Sequence, residues 1–531
     1  MTSDLRYHLA GTGIFLRAFL RRDRWLMLWY LLGIATLYWS QGYSVDGLYT
    51  SQAEFDRAAA TMGDNPAFIA MAGPARALNT TGGQVAWQAS AFGAILVGLM
   101  AMFVVGRHTR GEEEAGREEL VRSGVVARTA PMTAALLAGV IASAVVGVGV
   151  SASLIGYGLP VAGGLALGVG VFGCGVAYAG VGLLAAQLTS TARATYGLTG
   201  AVIGVSYAVR AIGDVSGGFL SWLSPIGWYQ GMHAYSGERW WPVLLLLALG
   251  AVAAVAAYAV FDRRDIGAGV WATRAGPGRA APALLSGVGL AWRLQRSSVL
   301  WWSLGMFIGG VGYGSMGDDI ETIMGDSEFS KDMFSLGGPS LLDSFYAVAT
   351  LMLVLIAAGF TVSSALRPHS EEQAGRVESL LATGLSRTRW YLGHATVTVA
   401  GSLVVLLASG IGIGFGYALV TDDWSAVLRL TGATFAQLAG LFVLGALARL
   451  LGGVAPRWAY LAWVGVAFCY VVLMFGTLLK FPQWVIDLSP FTHLAAVPAL
   501  PMSWQPFLLV LSVAVAMSLG GLVAFRRRDV H

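Results

Sequence analysis

The run from Ala134 to Ile155 reads AALLAGVIASAVVGVGVSASLI and contains no charged residue. As a helix rising about 1.5 Å per residue it spans the roughly 30 Å hydrocarbon core of a bilayer. Similar runs lie on both sides of it. Of the 531 residues 56% are hydrophobic and 12% charged, where a soluble domain carries about 25% charged residues. The composition excludes an ordinary soluble fold and implies an all-α polytopic membrane protein. Apolar runs near 25–43, 85–106, 132–157, 161–188, 195–212 and 242–262 form one set. A second set lies near 297–314, 342–366, 392–420, 425–449, 458–479 and 506–525. Together they predict about twelve transmembrane helices.

The charges orient these spans. With the N-terminus inside, about 26 of the 33 Lys and Arg fall on the cytoplasmic side, as the positive-inside rule requires. Both termini are then cytoplasmic, in a multi-pass protein of the cell (inner) membrane. The outer segments are acidic, with Asp318, Asp319, Glu321, Asp326, Glu328, Asp422 and Asp423. The first apolar run begins near Trp25 behind Arg21, Arg22, Asp23 and Arg24 and lacks a small-residue cleavage site, so it is expected to stay as the first span. Before each half's first span, Leu5, Leu9, Leu16 and Leu20, and later Leu284, Val288 and Trp292, fit either an interfacial helix or a simple stop of positive charge. Abundant glycine, including Gly164 with Gly168 and the series Gly410, Gly412, Gly414 and Gly416, suits helices that approach closely in lipid. Cys174 and Cys469 sit inside apolar runs, where packing is their expected role.

Landmarks recur in one order about 260 residues apart, the mark of a tandem duplication. Met62-Gly63-Asp64 and Gly73-Pro74 return as Met324-Gly325-Asp326 and Gly338-Pro339. Glu112-Glu113-Glu114-Ala115-Gly116-Arg117-Glu118-Glu119 returns as Glu371-Glu372-Gln373-Ala374-Gly375-Arg376-Val377-Glu378. Arg128-Thr129 matches Arg387-Thr388, Leu223-Ser224-Pro225 matches Leu488-Ser489-Pro490, and Phe261 to Asp265 matches Phe525 to Asp529. The reading is a six-span half over 1–262 with an external segment 44–84, then a cytoplasmic linker and interfacial helix over 263–296. A second six-span half over 297–531 carries an external segment 315–341. Even span numbers give the two six-helix repeats the same orientation and a pseudo-twofold axis along the membrane normal.

The duplicated acidic stretch lies between the second and third spans of each half, where basic residues would be expected. One use is a short helix offering carboxylates and one arginine to a soluble partner, with Gly116 or Gly375 permitting close approach. The other is a solvated turn with local Glu to Arg pairing. Its recurrence in both halves favours docking. No Gly-x-x-x-x-Gly-Lys-Ser/Thr is present, since Lys331 and Lys480 are the only lysines and neither fits. The chain is therefore not expected to hydrolyse ATP by that route.

The acidic cluster, its glycine, the following Glu-Ser-Leu-Leu and the Ser-Arg-Thr ending resemble the cytoplasmic signature of type-2 ABC exporter permeases. The twelve-span duplicated layout is similar to actinobacterial members described as multidrug or polyketide-antibiotic exporters. The resemblance implies ATP-driven export of hydrophobic drug-like or antibiotic compounds, powered by two copies of a cytoplasmic ATPase subunit that carry the ATP and Mg. The chain itself would need no cofactor and bind no nucleic acid. Glu113, Glu114, Gly116, Arg117 and Glu119 would form one ATPase-coupling element, and Glu371, Glu372, Gly375, Arg376 and Glu378 the other. Both repeats carry Arg after the glycine, where many members have Thr.

A proton-coupled antiporter of the major facilitator type also has two six-span halves, but it needs ionisable groups at mid-membrane depth. Arg210, Asp343, His394 and Arg429 fall near span ends, where snorkelling or interface placement is expected. A membrane enzyme using Asp318-Asp319 and Asp422-Asp423 to hold a metal lacks a second carboxylate cluster. Trp29, Tyr38, Trp39, Trp301, Trp302 and Tyr313 are candidates for a substrate pathway, beside their ordinary use in interface belts. In a background without Cys174 and Cys469, cysteines at Asp64 and Ser327 should react with an impermeant thiol reagent applied to intact cells. Cysteines at Glu118 and Ala275 should react only after the membrane is opened; labelling at Glu118 in intact cells would reverse the orientation.

Overall fold

A computed structural model describes residues 10–48, 51–64, 66–116, 126–265, 269–271, 276, 278–316, 340–475 and 481–529. Helices account for the regular structure throughout, with no strand among the described residues. The chain divides into two compact units between residues 275 and 276.

In the first unit, α1 (Thr12–Leu48) is followed by two short helices, α2 (Gln52–Asp64) and α3 (Pro66–Ala72). Next come α4 (Thr81–His108), α5 (Arg110–Glu114), α6 (Ala130–Tyr157), α7 (Val161–Leu188) and α8 (Ala192–Val215). A short α9 (Pro225–Gln230) leads into α10 (Pro242–Phe261). Side-chain caps start several of these: Thr80 accepts from Gly83 N at 3.1 Å, and Thr191 from Ala194 N at 3.2 Å. Small residues let α4, α6 and α7 pack tightly, burying Ala94, Val97, Ala138, Ala142, Val146 and Ala177.

The second unit holds α11 (Gly287–Gly314), α12 (Leu341–Ala365), α13 (Arg367–Gln373), α14 (Arg376–Leu381) and α15 (Arg387–Thr421). After them come α16 (Ala426–Ala436), α17 (Leu438–Val454), α18 (Ala462–Phe475), α19 (Gln483–Ile486) and α20 (Trp504–Arg527). The glycine series on α15 faces two ways. A Cβ on Gly412 or Gly416 would collide with the backbone of Phe307 or Val311 on α11, and one on Gly410 or Gly414 with Thr431 or Val427 on α16. Two i, i+4 stripes of glycine thus seat one helix between two others.

Among the described residues ten helical segments are long and apolar enough to cross a membrane, and they coincide with ten of the expected spans. The two others lie in α1 and α11, both full-length helices whose windows are diluted by Trp, Tyr and Gly. α1 runs unbroken from Thr12 and α11 from Gly287, with Val288 and Trp292 on α11 and Leu284 in a separate helical turn, Pro282–Leu285; Leu5 and Leu9 lie outside the described residues. The expected eighth-to-tenth register holds with one refinement, a break at Gln437 that divides the tenth span into α16 and α17. Most of 315–341, with Met324 to Asp326, Gly338 and Pro339, lies outside the described residues.

Candidate docking connectors and their ion-pair staple

The segment between the second and third spans begins in each unit with a short helix and breaks at glycine. Gly116 has φ +68° and Gly375 φ +67°, left-handed backbone that disfavours other residues, while a Cβ at either would meet nothing within 4 Å. The glycine recurs because the turn needs that conformation; among the described residues no close approach requires it. In the second unit α14 follows at once and turns Val377, Leu380 and Leu381 onto Trp390, Tyr391 and Phe525, leaving Arg376 and Glu378 exposed. In the first unit Glu114 and Gly116 are exposed, and Arg117 and Glu119 lie outside the described residues.

Three of the duplicated landmarks meet here. Glu113 accepts from Arg264 Nη2 at 2.5 Å and Nη1 at 3.2 Å, and from Arg110 Nη1 at 2.5 Å. Arg264 also donates through Nε to Gln187 Oε1 at 2.9 Å and lies over the Phe261 ring. Arg128 donates to the carbonyls of Phe261 and Arg264. The second unit repeats the arrangement with its own residues: Arg528 grips Glu372 through both Nη atoms at 2.5 Å, lies over Phe525, and offers its carbonyl to Arg387 at 2.8 Å. A fork of two parallel donors on one carboxylate fixes orientation as well as distance. Each connector is thereby stapled to the end of its own unit's last long helix, α10 or α20.

This placement revises one expectation about the acidic residues. Water was expected around Glu113, Glu371 and Glu372, yet their side chains are only 6%, 5% and 8% exposed; Arg264 and Arg528, distant in sequence, cover Glu113 and Glu372. Glu371 is held by Arg376 at 2.5 Å and Arg367 at 2.7 Å. Of the eight candidate coupling residues that are described, those with an open face are Glu114, Gly116, Gly375, Arg376 and Glu378.

Two charged groups placed near span ends by the sequence are buried. Asp23, expected among the charges preceding the first span, is 1% exposed inside α1, where it accepts from Arg107 at 2.8 Å and pairs with His108 at 2.6 Å. Arg210 was expected to snorkel or to sit at the interface near a span end, and it is fully buried; it donates to the carbonyls of Ile69 and Met71 and pairs with Asp214 at 3.4 Å. The short helix α3 covers that span end and closes over the side chain. His394 is also buried, against Trp390. Asp343 and Arg429 pair at 2.6 Å with partial exposure, in keeping with interface placement.

The six candidate aromatics do not converge within either unit. Tyr38 is buried and shares a 2.8 Å hydrogen bond with Tyr229. Trp302 packs on Phe360, Tyr313 reaches Met352 Sδ at 3.6 Å, and Trp29, Trp39 and Trp301 have exposed faces. Among the described residues no group of three His, Cys, Asp or Glu is placed to hold a metal ion. Asp422 and Asp423 are engaged locally by Trp424 and Ser425, and Asp318 and Asp319 lie outside the described residues.

A family model described as the C-terminal domain of the multidrug efflux system permease Rv1217c matches residues 284–526. The multidrug efflux system permease protein Rv1217c of Mycobacterium tuberculosis (strain ATCC 25618 / H37Rv) is 40% identical over 530 residues, covering 98% of this chain and 95% of that protein.

Removing one partner of a buried ion pair strands the other charge, at a cost of about 3–5 kcal/mol. Glu113→Ala should therefore lower the melting temperature of the purified protein markedly, while Glu113→Gln, which keeps an acceptor for Arg264 and Arg110, should lose less. Glu114→Ala should change it little. An unaltered melting temperature in Glu113→Ala would show that the pair does not hold the connector.

Proposed function

The chain belongs to the family of the multidrug efflux system permease Rv1217c, and from that premise we propose that it is the membrane-spanning subunit of an ATP-binding-cassette exporter. It moves hydrophobic drug-like or antibiotic compounds out of the cell. The ATP and Mg belong to a separate cytoplasmic ATPase, of which two copies bind, one to each connector. Both chain termini then lie in the cytoplasm.

The observation that carries the reading is the duplicated connector. Each is a short exposed turn bearing charges of known register, fastened by a buried fork to the end of a long helix. A partner pulling on such an element moves a helix rather than a floppy loop, which is what transmission between sites requires. The resemblance to type-2 exporter permeases supplies the identity of the partner, and the similarity to a multidrug efflux permease supports the substrate class. Proton coupling finds less support: the buried Asp23 pairs with Arg107 and His108 at the end of α4, near the edge of a span.

One permease should co-purify with two ATPase protomers. The exposed substitutions Glu114→Ala and Glu378→Ala, combined, should weaken that association by about tenfold or more while leaving the membrane level unchanged. Transport by the permease alone that follows the proton gradient would overturn the proposal, as would full ATPase binding and efflux in the combined variant.

A further inference from the structure

The Leu-Ser-Pro landmark occurs once in each unit, and the chain that follows it differs. Counting from its serine, Ser224 or Ser489, the fifth residue is Tyr229 in the first unit and Leu494 in the second. In the first unit that tyrosine fills the interior. It lies on α9, reaches Tyr38 at 2.8 Å and the Leu167 carbonyl at 3.2 Å, and its ring takes the place that a Cβ on Gly170 of α7 would need. The cavity left beside it is only about 40 Å³. That unit's larger cavity, about 300 Å³, touches neither Tyr229 nor Leu167 and has Arg76 and Asp214 in its wall.

In the second unit the plug is missing. Pro490 opens a single turn, Pro490–His493, Phe491 packs on Gly440 of α17, and Leu494 brings no ring to the interior. A cavity of about 380 Å³ remains between α12, α18 and this loop. Close-packed interiors contain few voids larger than a water, so one this large must be held open. Gln437, at the break between α16 and α17, does so by donating through Nε2 to the Ala495 carbonyl at 2.9 Å, which fixes the loop against the helices. The wall is apolar. Val348 and Leu355 of α12, Val472 of α18, and Phe491 and Leu494 of the loop line it, each less than one-tenth exposed. Its polar groups are few, and Thr492 already donates to the Ser489 carbonyl at 2.7 Å. Among the described residues no charged side chain lines it. Water gains little in such a space, whereas an apolar molecule fits it, and the volume falls in the range of about 300–1,000 Å³ typical of small-molecule pockets.

We propose that this cavity in the second unit binds an uncharged lipophilic molecule. The first unit's counterpart is closed by its own Tyr229, so the chain carries one such site at a duplicated position. A free ring compound and the acyl chain of a bilayer lipid share the required chemistry. Calling a free compound cargo rests on the export reading, but its binding does not: the site needs neither ATPase nor ATP, so either proposal can fail alone.

Cys469 lines the cavity and reports its occupancy, while Cys174 lies in the first unit and is replaced by Ala. The full chain in phosphatidylcholine nanodiscs is treated with N-ethylmaleimide, with and without pyrene, and the lipid it retains is counted by native mass spectrometry. Pyrene at about ten times its dissociation constant should slow the reaction of Cys469 about tenfold. In Leu494→Tyr, which restores the first unit's plug, pyrene should slow it no further. That pattern assigns the site to a free compound. Protection absent, but one retained lipid that Leu494→Tyr loses, assigns it to an acyl chain. Should Leu494→Tyr fail to fold, Ala347→Leu fills the cavity from α12 instead. Neither protection nor a retained lipid would overturn the proposal, as would protection or lipid retention that persists undiminished in the filled variant.

Discussion

The forked ion pair between Glu113 and Arg264, repeated as Glu372 and Arg528, is the constraint on which the candidate site depends. An isolated charge buried at these positions would be strongly unfavourable, and even a paired one gains little over a well-packed apolar pair. What the pair supplies is geometry. Its fork admits one orientation of the connector against the end of α10 or α20, and the aromatic ring beneath each arginine restricts the approach further. The arginine carbonyl in turn receives Arg128 or Arg387, so the start of the third span is bound into the same assembly.

The two staples differ in ways that bear on function. In the first unit Arg110 joins the pair, and Arg22 and Asp23 tie α1 to the same region through Glu112, Arg107 and His108. In the second unit His369 occupies the neighbouring turn and packs against Tyr460, while Glu371 is shared between Arg367 and Arg376. The connectors share a fold yet present different charges, which suits two docking contacts that are similar without being identical.

Much of the architecture could be read from the chain because its signals are local or repeated. Uncharged runs announce the spans, glycine spacing announces close pairs, and landmark order announces the duplication. Other features depend on residues far apart in sequence. Nothing near Glu113 shows that Arg264 will cover it, and nothing near Arg210 shows that α3 will close over its span end. One clue to the staple was present nonetheless. The acidic stretch, the Arg-Thr pair and the arginine cluster ending the sixth span recur together, and in both units they touch. Gly116 and Gly375 were legible as special, although the reason is the sign of φ rather than proximity to a neighbour.

The central claim is that the buried fork holds the connector in place, and hydrogen exchange reads it directly. If the pair contributes about 3 kcal/mol, its loss raises local opening by roughly a hundredfold. In Arg528→Met the amides of Arg376–Leu381 should exchange about a hundredfold faster than in the unmodified protein, with those of Leu341–Ala365 unchanged. Identical exchange over Arg376–Leu381 in the two proteins would contradict the account.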